Sequence, residues 1–305
     1  MKQYIVLLAV IFALQATAQK QVVITIDDLI SNGPFKDLAH IQQVNRQVLD
    51  TALTYGIPAI GFVNEEKLFR GNEEADRKQI LEDWLKAGMD LGNHTYSHPS
   101  LYNTPLEDFK AEVLKGGVYT SQLLEANGSQ MRYFRHPFLN TGPDSTTRAD
   151  FEYFLAQEGY IIAPVTVESS DYVFNKVYAN AVLNSDTTEM KAIGEAYVAH
   201  TLKMFAWFEE VADSTLGREI PHTFLCHVNP LNADYLGAIY KGLQDQGYEF
   251  IKLEEALKDP AYDYVDYHTG KWGVSWLYRW DKGNVKKWLM AEPALDQEIL
   301  DKYNE

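Results

Sequence analysis

The chain has 305 residues, 46% of them hydrophobic, and a formal net charge of −16. That apolar content supports a large buried core and excludes a disordered chain. The acidic balance argues against nucleic acid and anionic membranes as partners, since both reward a basic patch. A single cysteine, Cys226, excludes an internal disulfide, so stability has to come from the core.

The chain opens with Lys2, an apolar run over residues 4–14, and the small residues Ala16, Thr17 and Ala18 ahead of Gln19. This order is that of a secretory signal peptide, residues 1–18, and the run is short for a bilayer span. An uncleaved anchor or a buried segment is the alternative. The expectation is an exported protein, periplasmic or extracellular, with no stable membrane insertion once the signal is removed.

Apolar, β-branched runs at 22–26, 59–63, 89–92, 131–134, 160–167, 223–225 and 249–252 read as strands. Between them, segments at 37–55, 73–87, 105–127, 145–157, 232–246 and 254–257 have helical period. Gly56, Gly88, Gly159 and Gly247 each end a helical segment directly before a strand. Seven strands alternating with helices imply parallel pairing through right-handed crossovers, an α/β architecture. An open doubly wound sheet and a closed barrel both satisfy the pattern. Two stretches depart from it. Residues 175–218 read as a helical insertion, and the tail 259–305 is aromatic, with Tyr262, Trp272, Trp276, Tyr278, Trp280 and Trp288. Such a cluster packs on a domain or lines a sugar site, and packing is the first expectation. One domain over 19–258 with a packed extension is the simplest organisation.

Chemistry gathers at strand ends. Asp27 and Asp28 follow the first strand, at the edge where parallel α/β folds bind ligands. Because strand residues alternate in direction, neighbouring aspartates can do different jobs. Alone, the pair also suits a helix N-cap or a solvated turn. His94 and His98 follow the third strand, with Pro99 biasing His98 away from helix. Two imidazoles and the Asp28 carboxylate would leave coordination positions open, the mark of a catalytic rather than a structural metal site. Arg135 ends the fourth strand, Glu168 and Asp171 follow the fifth, and His227 ends the sixth. A strand-end arginine pairs naturally with a carboxylate.

The order Thr25-x-Asp27-Asp28, His94-Thr95-x-x-His98, Arg135-x-Pro137, Glu168-x-x-Asp171-Tyr172 and Leu225-x-His227 resembles the five motifs of the polysaccharide deacetylases, carbohydrate esterase family four with its NodB homology domain. The resemblance spans roughly residues 22–257 and implies a distorted (β/α)7 barrel of parallel strands. It implies Asp28, His94 and His98 as ligands of a divalent metal, zinc foremost, with cobalt, nickel or iron suited to the same donors. It further implies Asp27 as general base, Arg135 orienting Asp27, Asp171 orienting Arg135, and His227 as general acid. The backbone N–H of Phe138 would be the oxyanion donor, with Tyr172 and Leu225 lining the substrate groove. Ile26, Leu139, Glu168 and Tyr172 stand where Phe, Gly, Asp and Trp are common in the family, so the groove differs in detail. The implied activity is removal of acetyl groups, N-acetyl favoured, from an extracellular or cell-wall polysaccharide such as peptidoglycan or an N-acetylglucosamine polymer. An O-acetyl esterase on a xylan-like polymer, a small-molecule amidase and a non-catalytic carbohydrate-binding protein are the competing readings.

Overall fold

The computed structural model describes residues 19–305. The expected signal peptide, residues 1–18, lies outside the described residues. Strand β1 (Gln21–Leu29) is buried from Val22 onward, on both faces, as a parallel strand covered by helices must be. Helix α1 (Leu38–Tyr55) follows, capped by the Asp37 carboxylate on the N–H groups of Ala39 and His40 and closed by Gly56 in the left-handed region. Then come β2 (Ile60–Val63), α2 (Glu74–Lys86), β3 (Asp90–Asn93), α3 (Leu106–Lys115), α4 (Val118–Ala126), β4 (Tyr133–Phe134), α5 (Ser145–Gln157) and β5 (Ile161–Ile162). Helices α6 (Asp171–Leu183) and α7 (Thr187–Leu216) precede β6 (His222–His227), α8 (Pro230–Asp245), β7 (Glu249–Phe250) and α9 (Leu253–Ala256). The tail adds α10 (Trp276–Trp280), α11 (Val285–Ala291) and α12 (Gln297–Asn304).

The strands run β5-β4-β3-β2-β1-β6, with β7 beside the start of β1, and every pairing among them is parallel. A bridge from Val167 to Phe224 joins the segment after β5 to β6. The sheet thus curls into the distorted barrel with seven parallel strands, and the choice left open by the alternation falls on the barrel.

A strand and a helix that read as continuous in the sequence are interrupted. Residues 160–167 form a ladder only at Ile161–Ile162, because Pro164 has no N–H to offer a neighbour. Beyond it, Thr166 and Val167 donate to the Thr223 carbonyl and Leu225 donates back to Val167. The helical segment expected over 105–127 is two helices, split at Gly116 and Gly117. A Cβ on Gly116 would lie 2.4 Å from Thr95 C and Tyr96 N. The glycine therefore lets the loop carrying His94 and His98 press onto the helix break.

The insertion over 175–218 is occupied by α6 and α7, which pack on each other and on α8. Tyr197, Phe205 and Phe208 of α7 and Trp276, Leu277, Tyr278, Trp280 and Trp288 of the tail join the main core. Packing of the aromatic tail, the first expectation, accounts for most of its rings. No helix among the described residues is long and apolar enough to cross a membrane.

Because the Gly116 contact is with backbone, which cannot rotate aside, Gly116→Ala should lower unfolding free energy by about 1–3 kcal/mol. Urea denaturation followed by circular dichroism checks this, with an unchanged midpoint counting against the close approach.

Candidate active site

Five strand ends converge on one cavity of about 460 Å³, lined among others by Asp27, Asp28, His94, His98, Leu139 and His227. It lies at the carboxyl edge of the sheet, where backbone strain is concentrated. Among the described residues, seven non-glycine residues have positive φ, and six of them, Asp28, Thr95, His98, Phe138, Leu139 and Ser170, sit in the loops of this site. Such conformations cost free energy and persist where packing over-determines them.

At the end of β1 the pairing register with β2 shifts between Ile26 and Leu29, and Asp28 takes φ 68°. This irregularity breaks the alternation of side chains. Asp27 and Asp28 both line the cavity, rather than pointing to opposite sides as a regular strand would require. Asp28 accepts from Asn32 Nδ2 (2.6 Å) on one oxygen and from Lys67 Nζ (3.1 Å) on the other. Burial works to raise its carboxyl, but Lys67 with the surrounding histidines overrides that and holds it well below the usual carboxylate range.

The histidine loop is organised by its own side chains. Asn93 Oδ1 accepts from Thr95 N–H, and Thr95 Oγ1 accepts from His98 N–H. His94 Nδ1 lies 2.8 Å from the Arg135 carbonyl. A carbonyl only accepts, so Nδ1 carries the proton and Nε2 presents its lone pair to the site. Burial, with His98 alongside, keeps His94 well below the ordinary histidine range and therefore neutral. One atom from each of Asp28, His94 and His98 falls within 4.8 Å of the others. Neutral imidazoles, an ionised carboxylate and open cavity beside them fit a divalent transition metal. Lys67 is the one group in opposition, since its ammonium bonds the carboxylate oxygen that a cation would take.

Asp27 is 2% exposed, and its Oδ1 has no hydrogen-bond partner. Its Oδ2 lies 3.7 Å from Arg135 Nη1 and 3.8 Å from His94 Nε2, charge proximity rather than hydrogen bonds. Burial raises the Asp27 carboxyl to about 6, against the pull of Arg135. Arg135 is fully buried over the ring of Phe62 and donates to Thr25 Oγ1 at 2.9 Å.

The expected contact between Asp171 and Arg135 is not made. Asp171 instead accepts from His227 Nδ1 (2.7 Å) and His227 N–H (2.9 Å), and from Asn229 and Asn232. The physical reason is topological: Asp171 opens α6 beside the end of β6, where His227 lies, while Arg135 leans under β1 towards Thr25. Burial works to lower the His227 imidazole, but Asp171 reverses this and raises it to about 9. Register places His227 directly across from Asp27 on β1. A carboxylate and a cationic imidazole therefore face the same cavity from adjacent strands.

Phe138 has φ 56°, is 55% exposed, and sets its ring edge-on to His98 at 4.5 Å. Tyr172 and Leu225 line the cavity beside it. Sequence reasoning missed Lys67, although a polar run, Asn64-Glu65-Glu66-Lys67, follows the second apolar strand as clearly as the others. The aromatic tail, for which packing was the first expectation and lining a site the alternative, also contributes Trp272 and Tyr278 to the wall, together with Gly273, Val274, Ser275, Leu289 and Glu292, which no local signal marks.

A parallel barrel with a two-histidine, one-carboxylate cluster and an opposed carboxylate–imidazole pair is the arrangement that the five motifs led one to expect. Residues 15–153 match the family model described as polysaccharide deacetylase. Its fold is similar to that of a mutant family-four carbohydrate esterase pseudoenzyme with restored enzymatic activity, at 15% identity over 79% of this chain and 68% of that one, TM-score 0.53. The wild-type pseudoenzyme from Bacillus anthracis gives 14%, 79%, 66% and 0.52. A family 4 acetyl xylan esterase from Clostridium thermocellum, in complex with a cobalt ion, gives 18%, 78%, 91% and 0.51. At these identities the likeness is one of fold.

Asp171→Asn removes the charge that keeps His227 protonated. The His227 pKa, followed by NMR of the imidazole, should fall from about 9 to the ordinary histidine range or lower. A value still near 9 in the variant would remove Asp171 as the cause.

Proposed function

We propose that this protein is a metal-dependent hydrolase that removes acetyl groups, N-acetyl foremost, from an extracellular or cell-wall glycan. The observation that carries the reading is Asp27 and His227 facing one cavity on paired strands, beside the Asp28–His94–His98 cluster. Binding alone would need neither a base nor an acid.

When bound by Asp28, His94 and His98, a divalent cation would polarise the acetyl carbonyl and make water more acidic. The chain's own groups account for the proton traffic. Asp27, ionised at neutral pH and held by Arg135, takes a proton from the attacking water through its unpartnered Oδ1. The Phe138 backbone N–H would stabilise the oxyanion formed when that oxygen adds to the carbonyl carbon. His227, kept protonated by Asp171, gives its proton to the leaving nitrogen or oxygen as the bond to carbon breaks. Acetate and a free amine or alcohol are released. Tyr172 and Leu225 would contact the sugar.

Export fits this role. The pattern of residues 1–18 supports it, and the single cysteine, Cys226, is buried and asks for no partner. Sequencing the N-terminus of secreted protein should read from Gln19, and a retained Met1 would remove the cleavage reading.

A second reading, glycan binding without turnover, is favoured by one observation, the Lys67 ammonium on Asp28. Two measurements decide between the readings. Zinc titration followed by calorimetry should show binding that His98→Ala weakens by more than about 100-fold, exceeding the loss usual for a supporting residue. Acetate release from N-acetylglucosamine oligomers, peptidoglycan fragments and acetylated xylan should fall by about 10²–10⁴ in Asp27→Asn. Metal bound with no release from any of these would leave the binding reading in place.

A further inference from the structure

Two consecutive residues of the loop after β4, Phe138 and Leu139, hold left-handed backbone, with φ 56° and 51°. Neither is glycine, so the Cβ of each disfavours the conformation. Its consequence is a turn in which Leu139 and Asn140 direct their N–H groups back onto the carbonyls of His136 and Pro137. Among the described residues, the Phe138 N–H meets no acceptor. Phe138 lines the cavity, and its N–H is left for whatever enters.

The pair is held by the C-terminal tail. Arg279, fully buried, donates through Nη2 to the Leu139 carbonyl, 140 residues away in the chain. Its Nε donates to the Val274 carbonyl at 2.7 Å, and its Nη1 reaches Asp266 at 3.1 Å and Thr141 Oγ1 at 3.3 Å. The guanidinium also lies 3.8 Å over the Trp276 ring. A rigid planar fork fixed on several sides cannot follow the loop if the loop relaxes. From the loop side, Asn140 Nδ2 donates to the carbonyls of Gly270 and Lys271, at 2.7 and 2.9 Å. Gly273 backs the same turn, where a Cβ would lie 2.1 Å from the Phe138 carbonyl oxygen. Ser275 Oγ on the Thr166 carbonyl and Trp276 N–H on the Val165 carbonyl fasten the tail to the barrel. Arg279 stands behind the cavity wall rather than in it.

We propose that Arg279 is a positioning residue for the oxyanion donor: it holds the Phe138–Leu139 backbone left-handed, so that the Phe138 N–H is presented to the reacting carbonyl. The tail then shapes the chemistry without contributing a reacting group. The inference rests on the deacetylase reading and extends it to residues outside the five motifs.

The test compares Arg279→Lys, Gly273→Ala and the double variant Arg279→Lys with Leu139→Gly against the unsubstituted protein, all zinc-loaded and shown to be folded by circular dichroism. Arg279→Lys keeps the charge facing Asp266 but cannot span Leu139, Val274 and Asp266 together. Gly273→Ala pushes on the Phe138 carbonyl with Arg279 intact, and serves where the lysine variant does not fold. Pro-Phe pairs occur only at Pro34-Phe35 and Pro137-Phe138. Isotope labelling of the proline carbonyl and the phenylalanine nitrogen therefore isolates the Phe138 amide by NMR, with Phe35 as internal control. In both single variants the Phe138 signal should move while that of Phe35 stays, and Leu139→Gly should bring it back towards its original place. Acetate release from the glycan that the unsubstituted protein turns over should lose about 10²-fold in kcat, the cost of a small misplacement, with KM and zinc affinity unmoved. Leu139→Gly should restore about ten-fold of that loss, because glycine takes the left-handed turn without support. A Phe138 signal unmoved in the single variants, undiminished turnover by the folded variants, or a kcat loss that Leu139→Gly does not relieve would overturn the proposal. No acetate release from the unsubstituted protein would remove the deacetylase reading and the oxyanion role with it. A Phe138 signal that still moves and returns would then leave Arg279 as the holder of this loop alone.

Discussion

Two adjacent carboxylates at the end of a strand buried on both faces must be compensated, and much of the chain is arranged around that requirement. Asp27 and Asp28 are 2% and 8% exposed. Unpaired buried charges cost several kcal/mol each, so cations are drawn in from three separate strand ends. Arg135 comes from the end of β4, Lys67 from the turn after β2, and His227, held charged by Asp171, from the end of β6. Arg135 and Lys67 thereby tie their strand ends to β1, and β6 is joined to β1 by backbone pairing. The electrostatics of the site and the closure of the barrel are thus one problem, and loss of any partner leaves another charge uncompensated.

The second cost is conformational. Six residues of positive φ in four loops hold the side chains of the site, and two of those loops are propped by close backbone packing. The His94–His98 loop rests on Gly116, and the Phe138–Leu139 loop rests on Gly273 and is gripped by Arg279. Strain of this kind persists only where surrounding contacts over-determine the backbone. The tail, far from the motifs in sequence, is one of those supports.

The match to the polysaccharide deacetylases covers residues 15–153, from β1 through most of α5, and with it the aspartate pair, both histidines and Arg135. Glu168, Asp171, Tyr172 and His227 lie beyond that span, as do α7 and the tail. The proposed metal chemistry rests on the first part of the chain. The second part supplies the rest of the cavity lining, including Glu168, Tyr172 and a wall of Trp272, Tyr278 and Glu292.

The sequence by itself determined the alternation of strands and helices, the positions of β1, β2, β3 and β6 to within a few residues, and the site residues at their ends. Those were legible because apolar runs stop abruptly at charged groups and because glycines mark the helix ends. It misjudged Asp171, expected on Arg135 and found on His227, because neither spacing nor motif order says which strand ends are neighbours across the barrel. The parallel register of β1 with β6 decides that, setting Asp27 opposite His227. It misjudged the alternation at Asp27 and Asp28, because the irregularity after Ile26 exists only through pairing with β2. Pro164 and Gly116-Gly117 were visible breaks whose effect on a strand and a helix depended on what lay alongside. Lys67 and the tail wall were decided by tertiary structure alone: a lysine in a polar turn and a tryptophan in an aromatic tail acquire a role only when folding brings a buried carboxylate or an open cavity within reach.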